Sequence, residues 1–149
     1  MDVVGTVTLS HQSDFRFEVD FGLAGAPRLS TDAMPPLGRG SGPDSEMLLM
    51  AAVGNCLSAS LAFSLRKFKN DDVPIRTTVD TTLARDERGR LRVQSMAVDI
   101  RLGVPANTLR FADRAIGQYE EFCTVTQSVR VAIPVTVRVF DSTGAEVSA

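Results

Sequence analysis

Residues 47–65 read MLLMAAVGNCLSASLAFSL, nineteen consecutive positions without a charged side chain. A helix-start signal, SGPD at residues 41–44, precedes the stretch, and the cations of RKFK at residues 66–69 follow it. Acids near the start and cations near the end suit the helix dipole. The stretch therefore predicts one long helix that ends near Lys69. Since its apolar residues occupy nearly every side, the helix needs protein all around it, and we expect a second copy of the chain to supply part of that cover.

A membrane-spanning helix is the alternative interpretation, because the stretch is just long enough to cross a bilayer. Asn55, Gly54 and several serines dilute its hydrophobicity, however, and the chain around it is polar and strand-like. A helix buried in a protein core fits this composition better. We therefore expect no membrane partner.

The composition indicates an ordinary globular protein. The chain has 149 residues, of which 44% are hydrophobic and 23% are charged, so residues 1–149 are predicted to form a single domain. A net charge of −2, without a basic run or a ladder of aromatic residues, gives no reason to expect nucleic-acid binding. The N-terminus does not resemble a signal peptide, and we expect a cytoplasmic protein.

The remaining patterns predict strands around this helix and shorter helices after it. Phe15, Phe17, Val19 and Phe21 alternate with charged residues, which is typical of a strand with one buried face. A loop rich in glycine and proline follows and has room for a short strand near residues 28–31. The predicted strands are 3–9, 15–21, 76–84, 91–102 and 133–140, and the shorter helical segments are 108–121 and 123–131. This order indicates an α+β fold.

Cys56 and Cys123 are the only cysteines. In a chain without a signal peptide, thiols stay reduced unless they cycle, so the pair suggests thiol chemistry more than a permanent disulfide. Cys123 precedes a predicted helix start, where unpaired backbone N–H groups favour a thiolate. Two coupled cysteines can reduce a peroxide, since one forms a sulfenic acid and the other condenses with it to a disulfide. The alternative is that each is a small packed side chain.

Three charged residues are candidates to assist Cys56. Glu46 lies ten positions earlier, which is roughly 15 Å along one helix, so it can reach Cys56 only from a partner subunit or from a bent first turn. An acid favourably placed at a helix N-terminus explains Glu46 without any role at Cys56. Arg39 and Arg16 are each either a group that steadies a thiolate or a solvated surface charge. His11 and the two cysteines lack the spacing of a zinc site, and we expect neither metal nor cofactor.

Residues 42–56, GPDSEMLLMAAVGNC, resemble the central-helix motif of the OsmC-like and organic hydroperoxide resistance proteins. That motif has the pattern (N/S)-P-x-x-L-hydrophobic-x-A-A-small-x-x-C. Residues 122–129, FCTVTQSV, followed by IPVTV at 133–137, resemble the second motif and the last strand of the family. The resemblance covers nearly the whole chain in the same order.

The resemblance implies an intertwined homodimer in which two long central helices pack against antiparallel sheets, with active sites at the subunit interface. It also implies a thiol-dependent peroxidase that reduces organic hydroperoxides or hydrogen peroxide and is reset by an external thiol or dithiol. Cys56 matches the peroxidatic cysteine, Cys123 the resolving cysteine, and Glu46 the glutamate that partners an arginine, for which Arg39 and Arg16 are the candidates. A non-enzymatic or slow dimer, which binds a small apolar or sulfur-containing ligand at the interface, is the alternative.

Overall fold

The computed structural model describes residues 2–147, whose backbone contacts form two compact units with a boundary between Leu49 and Met50. Each unit holds one three-stranded sheet. The long helix α1 (Ser45–Lys67) begins in the first unit and continues in the second. That residues 1–149 form a single domain stays a prediction, and residues 1, 148 and 149 lie outside the described part.

The sheet of the first unit is antiparallel in chain order. Its strands are β1 (Thr8–Ser13), β2 (Arg16–Asp20) and β3 (Leu29–Thr31). The first strand begins five residues later than predicted, where Thr8 pairs with Asp20 at the end of β2, and it ends four residues later because the turn to β2 needs only two residues. Asp14 takes a left-handed conformation there (φ 47°), which aspartate tolerates better than most residues, and the ladder can therefore extend to Ser13.

Fewer of the alternating apolar residues in and beside β2 are buried than the sequence predicted. Val19 is 4% exposed, whereas Phe15, Phe17 and Phe21 are 49%, 36% and 41% exposed. A sheet face is covered only where a second layer packs on it, and in the single chain that layer does not extend over the three phenylalanines. The predicted buried face is confirmed only at Val19.

The sheet of the second unit is mixed. The strands β4 (Ile75–Arg85) and β5 (Leu91–Leu102) form the predicted hairpin, and β6 (Val135–Phe140) pairs in parallel with β5. Parallel neighbours need a long crossover, which here contains α2 (Ala112–Gln118) and α3 (Thr124–Val129). The α+β class is confirmed, but only the first of the two sheets is purely antiparallel.

The helical segment predicted at residues 108–121 is divided. Phe111 has a left-handed backbone (φ 52°) and immediately precedes α2, and a 3₁₀ turn (Tyr119–Phe122) follows α2. The chain then takes an extended conformation at Cys123 before α3 begins. This interruption places Cys123 at the start of a helix, as its sequence context predicted.

Helix α1 is shorter than predicted at both ends. Asp44, the last residue of the SGPD segment, caps it, since the Asp44 Oδ1 accepts a hydrogen bond of 2.9 Å from the N–H of Met47. The helix ends at Lys67, and Lys69 then takes a left-handed conformation (φ 64°).

Only one face of α1 enters the core of the second unit. That face carries residues at helical spacing that are at most 1% exposed: Val53, Leu57, Leu61 and Leu65. The opposite face is exposed at Ala52, Asn55, Ala59 and Phe63. The helix is long and apolar enough to cross a membrane, and 33% of its most apolar window is buried. Burial on every side is therefore not reached in the single chain, and the exposed face is the surface that the predicted homodimer would cover.

Candidate active site

Cys56 and Cys123, 67 positions apart in the sequence, lie together in the second unit. Cys56 is in the middle of α1 and partly exposed, whereas Cys123 is completely buried in front of α3. Both are free thiols, and each side chain shifts the pKa of the other, so the two cysteines lie close together. Two neighbouring sulfurs are suited to exchange between thiol and disulfide forms.

The start of α3 aims hydrogen-bond donors at Cys56. Because Cys123 has an extended backbone, the first N–H groups of α3 have no partner within the helix. The N–H groups of Val125 and Thr126 lower the pKa of the Cys56 thiol. One turn further along α1, the Ser60 hydroxyl has the same effect. Three groups therefore favour the Cys56 thiolate in addition to the Cys123 side chain.

These donors favour the ionised form of Cys56. Burial is the largest single influence, and by itself it would raise the pKa of the thiol. The Cys123 thiol, the two backbone N–H groups and the Ser60 hydroxyl together outweigh burial, so the pKa of Cys56 lies below the ordinary value for a cysteine. A lowered pKa and partial exposure are what a reactive cysteine requires.

The pKa of Cys123, in contrast, is raised, so this thiol favours its protonated form. Burial raises its pKa first, and the hydrogen bond with Cys56 raises it further, while the hydroxyl and N–H of Thr126 act against this rise. The Cys123 Sγ lies 2.9 Å from the Thr126 Oγ1, and both residues are completely buried. The pair therefore contains one thiol that favours ionisation and one that keeps its proton.

Sequence reasoning did not select Thr126. A weak signal for it was present, since residues three positions apart on a helix are neighbours. Only the structure shows that the helix-start side chain here is a cysteine whose sulfur contacts this hydroxyl.

A pocket of about 380 Å³ is lined by the residue one turn after Cys56 on α1 and by the residue just before Cys123, but by neither cysteine. Ser60, which donates to Cys56, lines it, and Phe122 brings the residue before Cys123 into its wall. The surface of the wall is mainly apolar, as in sites that bind small organic molecules, although half of the remaining lining residues are polar or charged. The other lining residues are Ala59, Phe63, Ser64, Lys67, Gln118 and Tyr119.

Tyr119 adds a polar group to this region. The residue is 1% exposed, and its hydroxyl makes no hydrogen bond within residues 2–147. Burial raises the pKa of Tyr119, so the hydroxyl keeps its proton at physiological pH.

Glu46, Arg39 and Arg16 belong to the first unit, and their proposed roles stay predictions. Each is exposed, and none forms an ion pair within the described chain. The backbone around Arg39 is held by Asp32, whose Oδ2 accepts hydrogen bonds from the N–H groups of Arg39 (3.2 Å) and Ser41 (3.1 Å) and from the Ser41 hydroxyl (2.7 Å). The loop that carries Arg39 is therefore fixed within its own unit.

A metal site is not formed by the residues from 2 to 147, since no three His, Cys, Asp or Glu side chains lie close enough there to hold an ion. The arrangement that the structure does form is a thiol pair beside an apolar pocket.

Several solved structures are similar to this fold. An organic hydroperoxide resistance protein OsmC from Legionella pneumophila has a TM-score of 0.68 at 19% identity, covering 93% of this chain and 98% of that chain. The organic hydroperoxide resistance protein OhrB of Bacillus subtilis has a TM-score of 0.67 at 17% identity, covering 92% and 98%. An OsmC-like protein of unknown function from Vibrio cholerae has a TM-score of 0.70 at 13% identity, covering 91% and 99%. At these identities the likeness shows the fold alone.

No curated protein matches the sequence. The sequence model of the OsmC-like proteins, in contrast, matches residues 38–138 and so includes both cysteines. The match spans more than half of the chain and agrees with the α+β fold, so the chain belongs to the OsmC-like protein family.

Proposed function

We propose that the protein is a cysteine-based peroxidase that reduces organic hydroperoxides or hydrogen peroxide through a cycle of Cys56 and Cys123. The observation that carries the proposal is the contact between two free thiols whose pKa values are shifted in opposite directions. A two-step cycle needs this difference, because the attacking sulfur must be ionised while its partner still holds a proton.

In the first step the Cys56 thiolate attacks the terminal oxygen of the peroxide. The O–O bond breaks, Cys56 becomes a sulfenic acid, and the rest of the peroxide leaves as an alcohol or, from hydrogen peroxide, as water. In the second step Cys123 attacks the Cys56 sulfur, a disulfide forms, and the sulfenic acid oxygen leaves as water. An external thiol or dithiol then reduces the disulfide by exchange.

The pocket beside Cys56 supports organic hydroperoxides as substrates. Its aromatic wall, including Phe63 and Phe122, suits an alkyl or aryl group, and Ser60 connects it to the reacting sulfur. Two proteins of similar fold are named organic hydroperoxide resistance proteins.

The charged residues complete the proposed site. Arg39 or Arg16 stabilises the Cys56 thiolate and the peroxide oxygen, and Glu46 orients that arginine. The exposed apolar face of α1 supports a homodimer as the working form. We further propose that the enzyme works in the cytoplasm, where reducing thiols are available.

The test is peroxide consumption by the wild type and by two cysteine variants. Cumene hydroperoxide, tert-butyl hydroperoxide and hydrogen peroxide are supplied in turn, with either a dithiol or a monothiol reductant. Cys56→Ser is expected to abolish consumption, whereas Cys123→Ser, when no reductant is added, should consume one equivalent of peroxide and stop at the sulfenic acid. Unchanged consumption by Cys56→Ser would contradict the mechanism.

Arg39→Ala and Arg16→Ala identify the activating arginine. The correct substitution is expected to lower the rate constant for reaction of Cys56 with the peroxide by about tenfold or more, since it removes a charge-assisted hydrogen bond. The other arginine variant serves as its matched control.

The pocket also favours a second candidate function, the binding of a small apolar or sulfur-containing ligand without rapid turnover. Such a protein retains a ligand through purification, which native mass spectrometry detects, and reacts only sluggishly with every peroxide in the panel.

A further inference from the structure

We propose that the Thr126 hydroxyl is a catalytic group for the second step, in which it stabilises the Cys123 sulfur as that sulfur loses its proton and attacks Cys56. This inference deepens the proposed function and rests on it for the identity of the oxidant. It assigns a role to the side chain of Thr126, whereas the first step involves only the backbone N–H of that residue.

The contact is direct and isolated from water. The Thr126 Oγ1 lies 2.9 Å from the Cys123 Sγ, and both residues are 0% exposed. Within residues 2–147 the sulfur is the only hydrogen-bond partner of this hydroxyl. Because a buried hydroxyl without a strong partner is costly, a threonine here is better explained by a function at the sulfur than by packing alone.

Helix α3 holds Thr126 against both sulfurs. The backbone N–H of Thr126 lowers the pKa of both Cys56 and Cys123. The carbonyl oxygen of Thr126 accepts a hydrogen bond of 2.9 Å from the N–H of Arg130. The side chain therefore approaches Cys123 from a fixed backbone. A substitution that keeps the backbone but removes the hydroxyl tests the side chain alone.

A hydroxyl suits this position because it can both accept and donate. In the reduced protein the Thr126 oxygen accepts the single Cys123 proton whenever that proton is not directed at the Cys56 sulfur. When Cys123 becomes a thiolate, rotation about the C–O bond turns the Thr126 O–H toward the sulfur, which it then stabilises as a donor. Valine has the same shape and can do neither.

Oxidation of Cys56 prepares this change. The Cys56 thiolate contributes to the raised pKa of Cys123 both through its hydrogen bond and through its charge. Conversion of Cys56 to the neutral sulfenic acid removes the charge, so Cys123 can release its proton more easily. The influences of the Thr126 hydroxyl and N–H, which favour the thiolate, remain.

The resolving step then balances. The Cys123 sulfur attacks the Cys56 sulfur, an S–S bond forms and the S–O bond breaks. The departing hydroxide takes up the proton that Cys123 released and leaves as water. No further oxidant or reductant takes part until an external thiol reduces the disulfide.

The test compares the wild type with Thr126→Val, Thr126→Ser and Thr124→Val. Serine retains the hydroxyl, and Thr124 is an exposed threonine two residues away that receives the same substitution as a control. One equivalent of cumene hydroperoxide is added to the reduced proteins, and samples quenched with dimedone are analysed by mass spectrometry for sulfenic acid and disulfide. Circular dichroism checks that each variant is folded.

Thr126→Val is expected to react with the peroxide within about threefold of the wild-type rate and to form the disulfide about tenfold or more slowly. The dimedone adduct of Cys56 should accumulate in this variant. Thr126→Ser and Thr124→Val should form the disulfide at close to the wild-type rate.

A second readout does not depend on peroxide. The Cys56 thiolate displaces one thionitrobenzoate from 5,5′-dithiobis(2-nitrobenzoic acid) and leaves a mixed disulfide, and Cys123 then attacks the Cys56 sulfur and displaces the second. In Thr126→Val only the release of the second thionitrobenzoate should be slow. The pH at which the rate of this second release is half-maximal should also move upward, because Cys123 ionises less easily. Simple loosening of the fold would not cause such a shift.

Different results would contradict the peroxidase proposal and the proposed role of Thr126. A wild type that ignores every peroxide but releases both thionitrobenzoates, with a slow second phase in Thr126→Val, contradicts the peroxidase proposal and supports the role of Thr126. Disulfide formation or second release by Thr126→Val at the wild-type rate overturns the role of Thr126.

Discussion

At the scale of single residues, two identical side chains acquire opposite properties from their surroundings. Cys56 is partly exposed and receives several donors, so ionisation is favoured in spite of burial. Cys123 is completely buried and its strongest influence is desolvation, which favours the thiol. The difference between the two cysteines therefore comes from the start of α3 rather than from residue type.

The contact between the thiols predicts the effect of Cys123→Ala. This substitution removes a donor to Cys56, so the pKa of Cys56 should rise toward the ordinary cysteine value. The pH dependence of alkylation by iodoacetamide, followed at the Cys56 peptide, measures this shift. Thr124→Ala, which changes an exposed side chain nearby, is the control, and an unmoved midpoint in Cys123→Ala would show that the donor is unimportant.

Two buried aspartates predict how stability depends on pH. Asp32 and Asp141 each accept four hydrogen bonds from nearby backbone or hydroxyl groups, which lower the pKa of each to about 2, chiefly through Ser41 and Thr143 respectively. The pKa of each carboxyl is near 3.8 in the unfolded chain and about 2 in the folded protein. Each ionised carboxylate therefore stabilises the folded protein fully at pH values above 3.8, and this stabilisation is lost as the pH falls toward 2.

Urea unfolding at a series of pH values from 6 to 2 measures this loss. Asp32→Asn and Asp141→Asn should be less stable than the wild type at pH 6, and their stability should fall less between pH 4 and pH 2 because the titrating group is gone. Equal slopes in the wild type and both variants would contradict the prediction.

At the scale of elements, the position of Cys56 depends on how closely α1 packs against β4. A Cβ built at Gly54 lies 2.9 Å from the Val79 Cγ2, and the Ser58 Oγ lies 2.6 Å from the Thr77 Oγ1. Glycine is required at this contact for lack of space, not for its backbone conformation. The close approach sets the depth of α1 on the sheet.

Gly54→Ala should therefore destabilise the protein. Alanine gains about 1 kcal/mol of helix propensity, but crowding of a stiff valine typically costs about 1–3 kcal/mol, so we expect a net loss of about 1 kcal/mol. Urea unfolding measures the change. In a Val79→Ala background the loss should disappear, and a loss of equal size in both backgrounds would rule out the contact as its cause.

At the scale of the whole molecule, the single chain leaves apolar surface uncovered. Two parts of the chain that the sequence predicted to be buried are exposed in the single chain. They are one face of α1 and the side chains of Phe15, Phe17 and Phe21, which lie in β2 or next to it. Large exposed apolar surfaces commonly mark interfaces between proteins. Both parts are therefore candidates for the surface that a homodimer buries.

The homodimer is tested by Ala52→Arg. Ala52 is exposed on α1, and burial of an unpaired arginine at that position should raise the dimer dissociation constant by about a hundredfold or more. Sedimentation velocity over a range of concentrations measures this change. Ala145→Arg, at an exposed position far along the chain, is the matched control and should remain dimeric. A wild type that sediments as a monomer would contradict the prediction.

The sequence determined the features that depend on neighbours along the chain. The hairpin of β4 and β5, the long α1 helix, the short β3 strand and the helix start at Cys123 follow from periodicity, turn residues and capping. The motifs around Cys56 and Cys123 indicated the family, which the match to residues 38–138 shows. These signals are local because hydrogen bonding within a helix or a turn involves residues only a few positions apart.

Only the tertiary structure decided what depends on residues distant in sequence. It brought two thiols 67 positions apart into contact, directed the N–H groups of α3 at one of them and placed the Thr126 hydroxyl against the other. It also decided that β6 runs parallel to β5 and that the phenylalanines of β2 stay exposed in a single chain. Ionisation depends on burial and on the direction of each donor, and neither is fixed until the elements have packed.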